Sequence, residues 1–223
     1  MCNDCDIHPE SIEINDDFIA IRIATPAGQI NTSIQGSSRA DIINALAAVA
    51  CAVMMKIKSG IFVESLSLNE IADALKDLPT TPGRLQKIIR DSGVEVIFDG
   101  YNSNPLSLSN ALDMLAARNS LSNGGIILRR VAILGDMLEL GEDQEKYHSD
   151  AGKHISSLNF DLLITVGNLA KFINDAASGI ETKHFDTTPD CAKELSDILK
   201  PGDLVLIKAS RALEFEKLLE TNW

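Results

Sequence analysis

The pattern of apolar and polar positions divides the chain into two regions. In the first, residues 11–14, 18–23 and 29–34 alternate apolar and polar side chains, the period of a half-buried β-strand. Two helices are predicted next. Residues 40–58 are apolar almost all round and should be covered by other elements, and residues 69–78 form a helix capped by Ser67 or Asn69. Residues 79–83, with two prolines and a glycine, then predict a break between domains.

After this break, short apolar runs alternate with helical stretches. The predicted strands are residues 94–99, 131–134, 162–166, 183–185 and 204–208, and the predicted helices are residues 106–118, 143–158, 169–177, 189–199 and 212–220. This alternation predicts an α/β fold of Rossmann-like type, with a mainly parallel sheet and helices on both faces. Ligands of such sheets bind beyond the carboxyl ends of the strands, so the site should lie at that edge.

Composition narrows the classes of partner. The 223 residues carry a net charge of −12, and an acidic chain repels nucleic-acid phosphates and anionic lipid surfaces, so neither is expected as a partner. The most apolar stretch, residues 42–55, is too short to cross a bilayer, and the polar first ten residues do not form a secretory signal. Four cysteines do not make a disulfide scaffold, which indicates a reducing, cytoplasmic setting.

Several common cofactor motifs do not occur in the sequence. There is no G-x-x-x-x-G-K-[ST] phosphate loop, no G-x-G-x-x-G dinucleotide motif and no G-x-S-x-G nucleophile elbow. Cys2, Cys5 and His8 are spaced like three metal ligands, but a structural zinc site takes four and no second pair follows, so their role stays open. We therefore predict no metal-binding residue.

Polar groups follow three of the predicted strands. They form the runs Asp-Gly-Tyr-Asn at 99–102, Gly-Asp at 135–136 and Lys-Ala-Ser-Arg at 208–211. Such runs at strand ends indicate a ligand site, and the two cations of the last run suit a phosphate or a carboxylate. The alternative for this basic run is a solvated surface. Two interpretations of Asn102 and Asn104 stay open: they bind a ligand, or they cap the helix that starts near Leu106. His148 lies on a polar helix, where a solvated histidine is the default expectation.

Five motifs in this order carry a resemblance. They are Asn44-Ala-Leu-Ala-Ala, Pro82-Gly-Arg-Leu-Gln, Asp99-Gly-Tyr-Asn-Ser-Asn-Pro, Leu134-Gly-Asp-Met-Leu-Glu-Leu-Gly with His148, and Lys208-Ala-Ser-Arg. Together they resemble the Mur ligases of bacterial cell-wall synthesis, over about residues 36–221. The Tyr-Asn-Ser-Asn-Pro and Leu-Gly-Asp-Met-Leu-Glu-Leu-Gly runs are the most specific. They are similar to the branch that adds D-alanyl-D-alanine to UDP-N-acetylmuramoyl-tripeptide.

The resemblance implies a three-domain enzyme. The first domain holds the UDP-sugar, the central one binds ATP and Mg through a phosphate loop, and a Rossmann-like C-terminal domain closes over the site with the amine. Residues 1–82 would be the end of the central α/β domain and residues 83–223 the C-terminal domain, so a separate N-terminal half would complete the enzyme. In the family's reaction ATP converts the tripeptide's terminal carboxylate to an acyl phosphate, which the dipeptide amine attacks.

The resemblance also implies roles for individual residues. The expected nucleotide contacts are Asn44 to adenine, Arg84 to the phosphates, Asp99 to the ribose and Tyr101 near the nucleoside. The expected contacts to the dipeptide are Asn102, Asn104, Pro105, Ser210 and Arg211. Lys208, facing a phosphate or the dipeptide carboxylate, and His148 are the expected catalytic residues.

The sequence departs from the family pattern at three positions. Ala40 stands where the family has His, Gly100 where it has a second acid, and Ala209 where it has Gly. Alternative functions are a non-catalytic binding domain, a decayed fragment without activity, and a related amino-acid ligase of the folylpolyglutamate synthase type.

Overall fold

The computed structural model describes residues 5–15, 18–36, 39–58, 66–78, 81–122 and 124–223. The chain divides into two compact units, Met1–Thr80 and Thr81–Trp223. The domain boundary predicted from the sequence lies between residues 82 and 83. Within the described ranges, no helix combines the length and the apolar character that crossing a membrane requires. Cys2 and the first two residues of the predicted break at residues 79–83 lie outside the described residues.

The first unit contains an antiparallel sheet of β1 (His8–Ile14), β2 (Phe18–Thr25) and β3 (Gly28–Gln35), followed by α1 (Arg39–Lys58) and α2 (Leu68–Lys76). The predicted alternation is confirmed in β2, where Ile19, Ile21 and Ile23 are buried. Ser67 caps α2 as predicted, with Glu70 completing a capping box.

Helix α1 is covered on one face within this unit. Ile42, Ala45, Val49 and Val53, spaced three or four residues apart, are buried in the core of the unit. The expectation that α1 is covered all round is not met within this unit, since Ile43 is 51% and Met54 is 41% exposed. The physical reason is that α1 packs against β2, β3 and α2, which occupy one side of it.

The second unit is built on a six-stranded sheet. Its strands are β4 (Gln86–Ile89), β5 (Glu95–Asp99), β6 (Arg129–Gly135), β7 (Leu162–Val166), β8 (Glu181–Phe185) and β9 (Asp203–Lys208). They lie in the order β4-β5-β9-β6-β7-β8, and all neighbours are parallel except β4 and β5. Every residue of β5, β7 and β9 is buried, which explains their nearly unbroken apolar runs. Strand β4 was not predicted because it has four residues and lies at the sheet edge.

Helices cover both faces of this sheet, which confirms the predicted α/β class. Helices α3 (Pro105–Ala116), α4 (Gln144–Ser156) and α5 (Ala170–Ala176) pack in one core cluster, and α6 (Thr188–Ile198) and α7 (Glu216–Leu219) pack in the other. The prediction of one helix over residues 212–220 is wrong. A 3₁₀ turn, Arg211–Leu213, is separated from α7 by Glu214, whose φ of +51° is left-handed and ends the helical path.

Candidate functional site

The ends of β5, β9 and β6 lie side by side at one edge of the sheet. Asp99, the last residue of β5, pairs in register with Lys208 of β9, and Lys208 pairs with Leu134 of β6. Strand β9 is inserted between β5 and β6, so the three polar runs selected from the sequence follow neighbouring strands. The carboxyl edge of this sheet therefore carries the candidate site.

A buried ion pair lies at the centre of this edge. The Lys208 ammonium donates hydrogen bonds to Asp99 Oδ2 at 2.5 Å and to the Asn102 carbonyl oxygen at 2.9 Å. The Lys208 side chain is 1% exposed and that of Asp99 is 13% exposed. Burial lowers the pKa of Lys208, and the nearby Asp99 carboxylate opposes that shift. Lys208 thus meets an anion of the protein itself rather than open solvent.

The segment before β4 approaches the same edge. The Arg84 guanidinium lies 4.3 Å from the centroid of the Tyr101 ring, and the Tyr101 N–H donates to the Gly83 carbonyl oxygen at 2.9 Å. The Leu85 N–H donates to Asp99 Oδ1 at 3.2 Å, and Leu85 has a φ of +45°, a strained value for a residue with a branched side chain. Three residues expected to contact the nucleotide, Arg84, Asp99 and Tyr101, are thereby brought together. Asn44, the fourth, is an exposed residue of α1 in the other unit.

The loop from Asn102 to Pro105 leads directly into α3. Asn104 Oδ1 accepts the Ser107 N–H at 2.8 Å, Ser107 Oγ accepts the Asn104 N–H at 3.1 Å, and Pro105 occupies the first turn. The capping interpretation is confirmed for Asn104, and its contact to the dipeptide stays a prediction. Asn102 does not cap the helix, because its Oδ1 accepts the neighbouring Ser103 N–H at 2.8 Å.

His148 is fully buried beneath the loop that follows β6. Its Nε2 accepts the Met137 N–H at 2.9 Å, and its Nδ1 lies 2.6 Å from the Gln144 carbonyl oxygen, which fixes the neutral tautomer with the proton on Nδ1. The expectation of a solvated histidine is wrong, because α4 turns this position into the core. Both ring nitrogens bond backbone groups, so the geometry argues against the catalytic role, which stays a prediction.

Ser210 and Arg211 follow β9 and differ in environment. Ser210 is buried; its Oγ accepts the Leu138 N–H at 2.9 Å, and its N–H donates to the Asp136 carbonyl oxygen at 3.0 Å. Arg211 is 64% exposed and lies 3.1 Å from a Glu216 carboxylate oxygen. Ser210 therefore holds the loop after β6, whereas the Arg211 guanidinium remains accessible to an anion.

Comparison with known proteins identifies this architecture. The family model described as "Mur ligase, glutamate ligase domain" matches residues 83–211, which is more than half of the chain. The chain belongs to the Mur ligase family. A curated relative from Bacillus subtilis, named UDP-N-acetylmuramoyl-tripeptide--D-alanyl-D-alanine ligase, is 32% identical over 184 residues, which are 81% of this chain and 37% of that protein.

Solved Mur ligase structures share the fold. A crystal structure of MurF from Acinetobacter baumannii has a TM-score of 0.82 and 25% identity and covers 98% of this chain and 45% of that one. The MurF ligase from Thermotoga maritima, crystallised in complex with ADP, has a TM-score of 0.70 and 23% identity over 96% of this chain and 45% of that one. The chain thus spans less than half the length of these relatives.

The structure shows the surroundings of two departures from the Mur ligase pattern. A Cβ at Gly100 would lie 2.5 Å from the Phe98 ring, so this backbone has no room for the second acid. A Cβ at Gly135 would lie 2.7 Å from the Cβ of Ala209, so these two residues approach each other closely. The third departure, Ala40, is one of the residues whose side chain the structure does not describe.

A cleft of this Mur ligase chain was not predicted from the sequence. A cleft of about 300 Å³ lies at the carboxyl ends of β6, β7 and β8, with Asp136, Asn168, Asp186 and Thr188 in its walls. The sequence signal was the run Asp-Thr-Thr at 186–188, directly after β8. Asp136 Oδ1 accepts the Ala170 N–H at 2.6 Å, so this side chain holds the start of α5.

The N-terminal cysteines give no metal site within the described residues. Cys5 is exposed, and His8 Nδ1 lies 2.7 Å from the Cys5 carbonyl oxygen. Over the described ranges, no three His, Cys, Asp or Glu side chains form a group that could hold a metal ion. Cys2 lies outside these ranges, and its role stays open.

Proposed function

We propose that this chain is the amine-binding part of an ATP-dependent amide ligase that adds D-alanyl-D-alanine to UDP-N-acetylmuramoyl-tripeptide in cytoplasmic peptidoglycan synthesis. One observation carries the proposal: the buried Lys208–Asp99 pair lies against the Asn102 backbone at the carboxyl edge of a Mur ligase domain. A relative at 32% identity bears the name of this ligase, which supports the choice of substrates.

The exposed groups of the edge suit a dipeptide. Arg211 can exchange its partly buried partner Glu216 for the dipeptide carboxylate, which a guanidinium binds with two hydrogen bonds. Asn104 uses Oδ1 for the helix cap, so the two N–H donors of its amide remain for a peptide carbonyl. Together these groups would hold the dipeptide by its carboxylate and its peptide bond, leaving its amine to react.

The groups around Asp99 suit a nucleoside and its phosphates. A carboxylate has about four lone-pair positions, and Asp99 uses one for Leu85 and one for Lys208, which leaves acceptors for a ribose diol. The Arg84 guanidinium is exposed above the Tyr101 ring and can pair with a phosphate. The ADP complex of the Thermotoga maritima relative supports a nucleotide as the ligand.

The triphosphate and Mg require residues that this sequence does not provide. The 223 residues contain no phosphate loop, and no cluster of three potential metal ligands occurs in the described parts of the chain. These residues fit the nucleoside side of ATP and do not fit Mg, so we assign no step to the metal here. We expect that calorimetry with Mg-ATP and the chain alone detects no micromolar binding, because a phosphate loop supplies most of the phosphate affinity.

In the proposed reaction the dipeptide amine attacks the acyl phosphate of the tripeptide. The C–N bond forms, the C–O bond to phosphate breaks, and phosphate and the amine proton leave. The contribution of this chain is positioning, since a fixed near-attack geometry replaces a collision between two free reactants.

The experiment combines the purified chain with a separately produced N-terminal half that carries a phosphate loop, ATP and the UDP-tripeptide. We expect phosphate release that depends on D-alanyl-D-alanine and does not occur with L-alanyl-L-alanine. Arg211→Met should raise the dipeptide KM by about tenfold or more, because the variant loses one charged hydrogen-bonded contact to the dipeptide. Lys171→Met, at an exposed lysine of α5, is the control and should leave KM unchanged.

Other outcomes would replace the proposal. Turnover with L-glutamate instead of the dipeptide would assign a related amino-acid ligase. If the mixture shows no turnover and the dipeptide causes no shifts in the amide NMR spectrum of the chain, the chain is a non-catalytic or decayed domain.

A further inference from the structure

Lys208 is less accessible than the group it binds. Its side chain is 1% exposed, while the Asp99 side chain is 13% exposed, so a ligand at the sheet edge can reach the carboxylate but not the ammonium. Two of the three ammonium protons are already donated within the protein, one to Asp99 and one to Asn102. A lysine that binds a ligand phosphate directly needs an exposed ammonium, which this geometry does not provide.

The two acceptors of Lys208 belong to two different parts of the site. Asp99 Oδ1 also accepts the Leu85 N–H, and Leu85 follows Arg84, whose guanidinium lies over Tyr101. Asn102 begins the loop that continues into the Asn104 cap of α3. One buried ammonium thus connects the segment before β4 with the loop after β5.

We infer that Lys208 is a positioning residue that holds the Asp99 carboxylate and the Asn102 carbonyl and so sets the spacing between the nucleotide side and the dipeptide side of the site. It touches neither ligand. This inference deepens the proposed function and rests on it for the identity of the two ligands, whereas the positioning itself is a property of the unliganded chain.

The strained Leu85 backbone supports this role. A φ of +45° at a leucine persists where surrounding contacts hold it, and its N–H is bonded to the carboxylate that Lys208 binds. Burial lowers the pKa of Lys208, and the Asp99 carboxylate works against that shift, so the pair depends on both partners. Removing one partner leaves the other buried without its counter-charge.

The first test measures amide hydrogen exchange by NMR on the unliganded chain. In Lys208→Met we expect exchange at Leu85 and at Ser103 to rise by about tenfold or more, the loss of roughly one hydrogen bond, while amides of β6 and β7 stay protected. In an Asp99→Asn background, Lys208→Met should not raise the exchange rate of the Leu85 amide further, because the carboxylate through which Lys208 acts on Leu85 is already absent. Lys171→Met is the matched surface-lysine control and should leave both amides unchanged.

Unchanged exchange at Leu85 and Ser103 in a folded Lys208→Met chain would overturn the inference. If Lys208→Met does not fold, Lys208→Arg takes its place, because it keeps a cation on Asp99 with altered donor geometry. We then expect Leu85 to stay protected while Ser103 exchanges faster. If both amides of Lys208→Arg exchange as slowly as in the wild type, the inference is overturned as well.

The second test separates positioning from catalysis in the reconstituted ligase. Lys208→Met should raise the KM for ATP and the KM for the dipeptide together, each by about tenfold, with kcat reduced less than about threefold. A large fall in kcat with both KM values unchanged would place Lys208 on the reacting groups and overturn the inference. If the wild-type mixture shows no dipeptide-dependent turnover, the proposed function fails, and the exchange experiment still decides the positioning role.

Discussion

His148 Nε2 and the Met137 backbone N–H form a fully buried hydrogen bond of 2.9 Å. The next amide of the same loop, that of Leu138, is bonded to Ser210 Oγ at 2.9 Å. Side chains from α4 and from the segment after β9 thus hold two consecutive amides of the loop after β6. This arrangement fixes the loop to the strand that carries Lys208.

The first prediction compares His148→Gln with His148→Asn. The glutamine amide reaches the position of Nε2, so its oxygen can still accept the Met137 N–H. The asparagine amide is one carbon shorter and reaches only the position of Nδ1, so it can replace the bond to Gln144 but not the bond to Met137. We expect His148→Asn to lower the free energy of unfolding by about 1–3 kcal/mol more than His148→Gln, the cost of an unsatisfied buried N–H. Urea unfolding of both variants is the measurement. Equal loss in both would show that the Met137 bond contributes little.

The second prediction concerns the two roles of Asn104. Asn104→Asp keeps the cap of α3, because a carboxylate accepts the Ser107 N–H, but it removes the amide donors and adds a negative charge. We expect unchanged stability and weaker dipeptide binding in Asn104→Asp. In Asn104→Ala we expect a loss of about 1 kcal/mol of stability from the missing cap. The checks are thermal unfolding and the dipeptide KM of the reconstituted ligase; a KM that is unchanged in both variants would reduce Asn104 to a cap.

The third prediction concerns Gly152 in α4. A Cβ at this position would lie 2.3 Å from the Ile173 carbonyl oxygen of α5. Alanine favours a helix over glycine by about 1 kcal/mol, but overpacking costs about 1–3 kcal/mol, so we expect Gly152→Ala to be destabilising. Ala151→Gly, one position earlier, is the control. It should cost roughly 1 kcal/mol from helix propensity, and the loss of a partly buried methyl group adds to this cost. A stabilised Gly152→Ala protein would contradict the close approach of α4 and α5.

The fourth prediction is a pH dependence at Cys191. Burial raises the pKa of this thiol to about 12 from its usual 9.0. Between these values the unfolded thiol loses its proton and the folded one keeps it, so its contribution to stability is complete below pH 9.0 and declines as the pH rises. We expect the stability advantage of the wild type over Cys191→Ala to shrink by about 1.4 kcal/mol between about pH 8 and pH 10. Urea unfolding at the two pH values is the measurement, and a constant difference would contradict the burial of the thiol.

The fifth prediction is that residues 81–223 fold alone. Both core clusters of the sheet lie entirely within this unit, and they cover its two faces. We expect the fragment to unfold cooperatively at the same urea concentration as this unit in the whole chain. Trp223, the only tryptophan, reports on this unit by fluorescence. A clearly lower midpoint for the fragment would show that residues 1–80 stabilise it.

Local patterns in the sequence were sufficient for most of the elements and for the class of fold; strand β4 and the break between the 3₁₀ turn and α7 were missed. Alternation in β2, the unbroken apolar runs of β5, β7 and β9, and the cap signals at Ser67 and Asn104 depend on neighbours within a few residues, which sequence spacing records. The polar runs after β5, β6 and β9 indicated the carboxyl edge for the same reason, because strand direction places each run at a strand end.

The environment of each side chain was decided by tertiary structure. Strand β9 lies between β5 and β6 although it comes last in the chain, and only this order places the Lys208 ammonium on Asp99 and buries it. His148 shows the same limit, since its polar neighbours along α4 predict solvent, while the packing of the loop after β6 buries it. Burial, and with it the free energy of a charge or a hydrogen bond, depends on contacts between residues far apart in sequence, and no local spacing encodes these contacts.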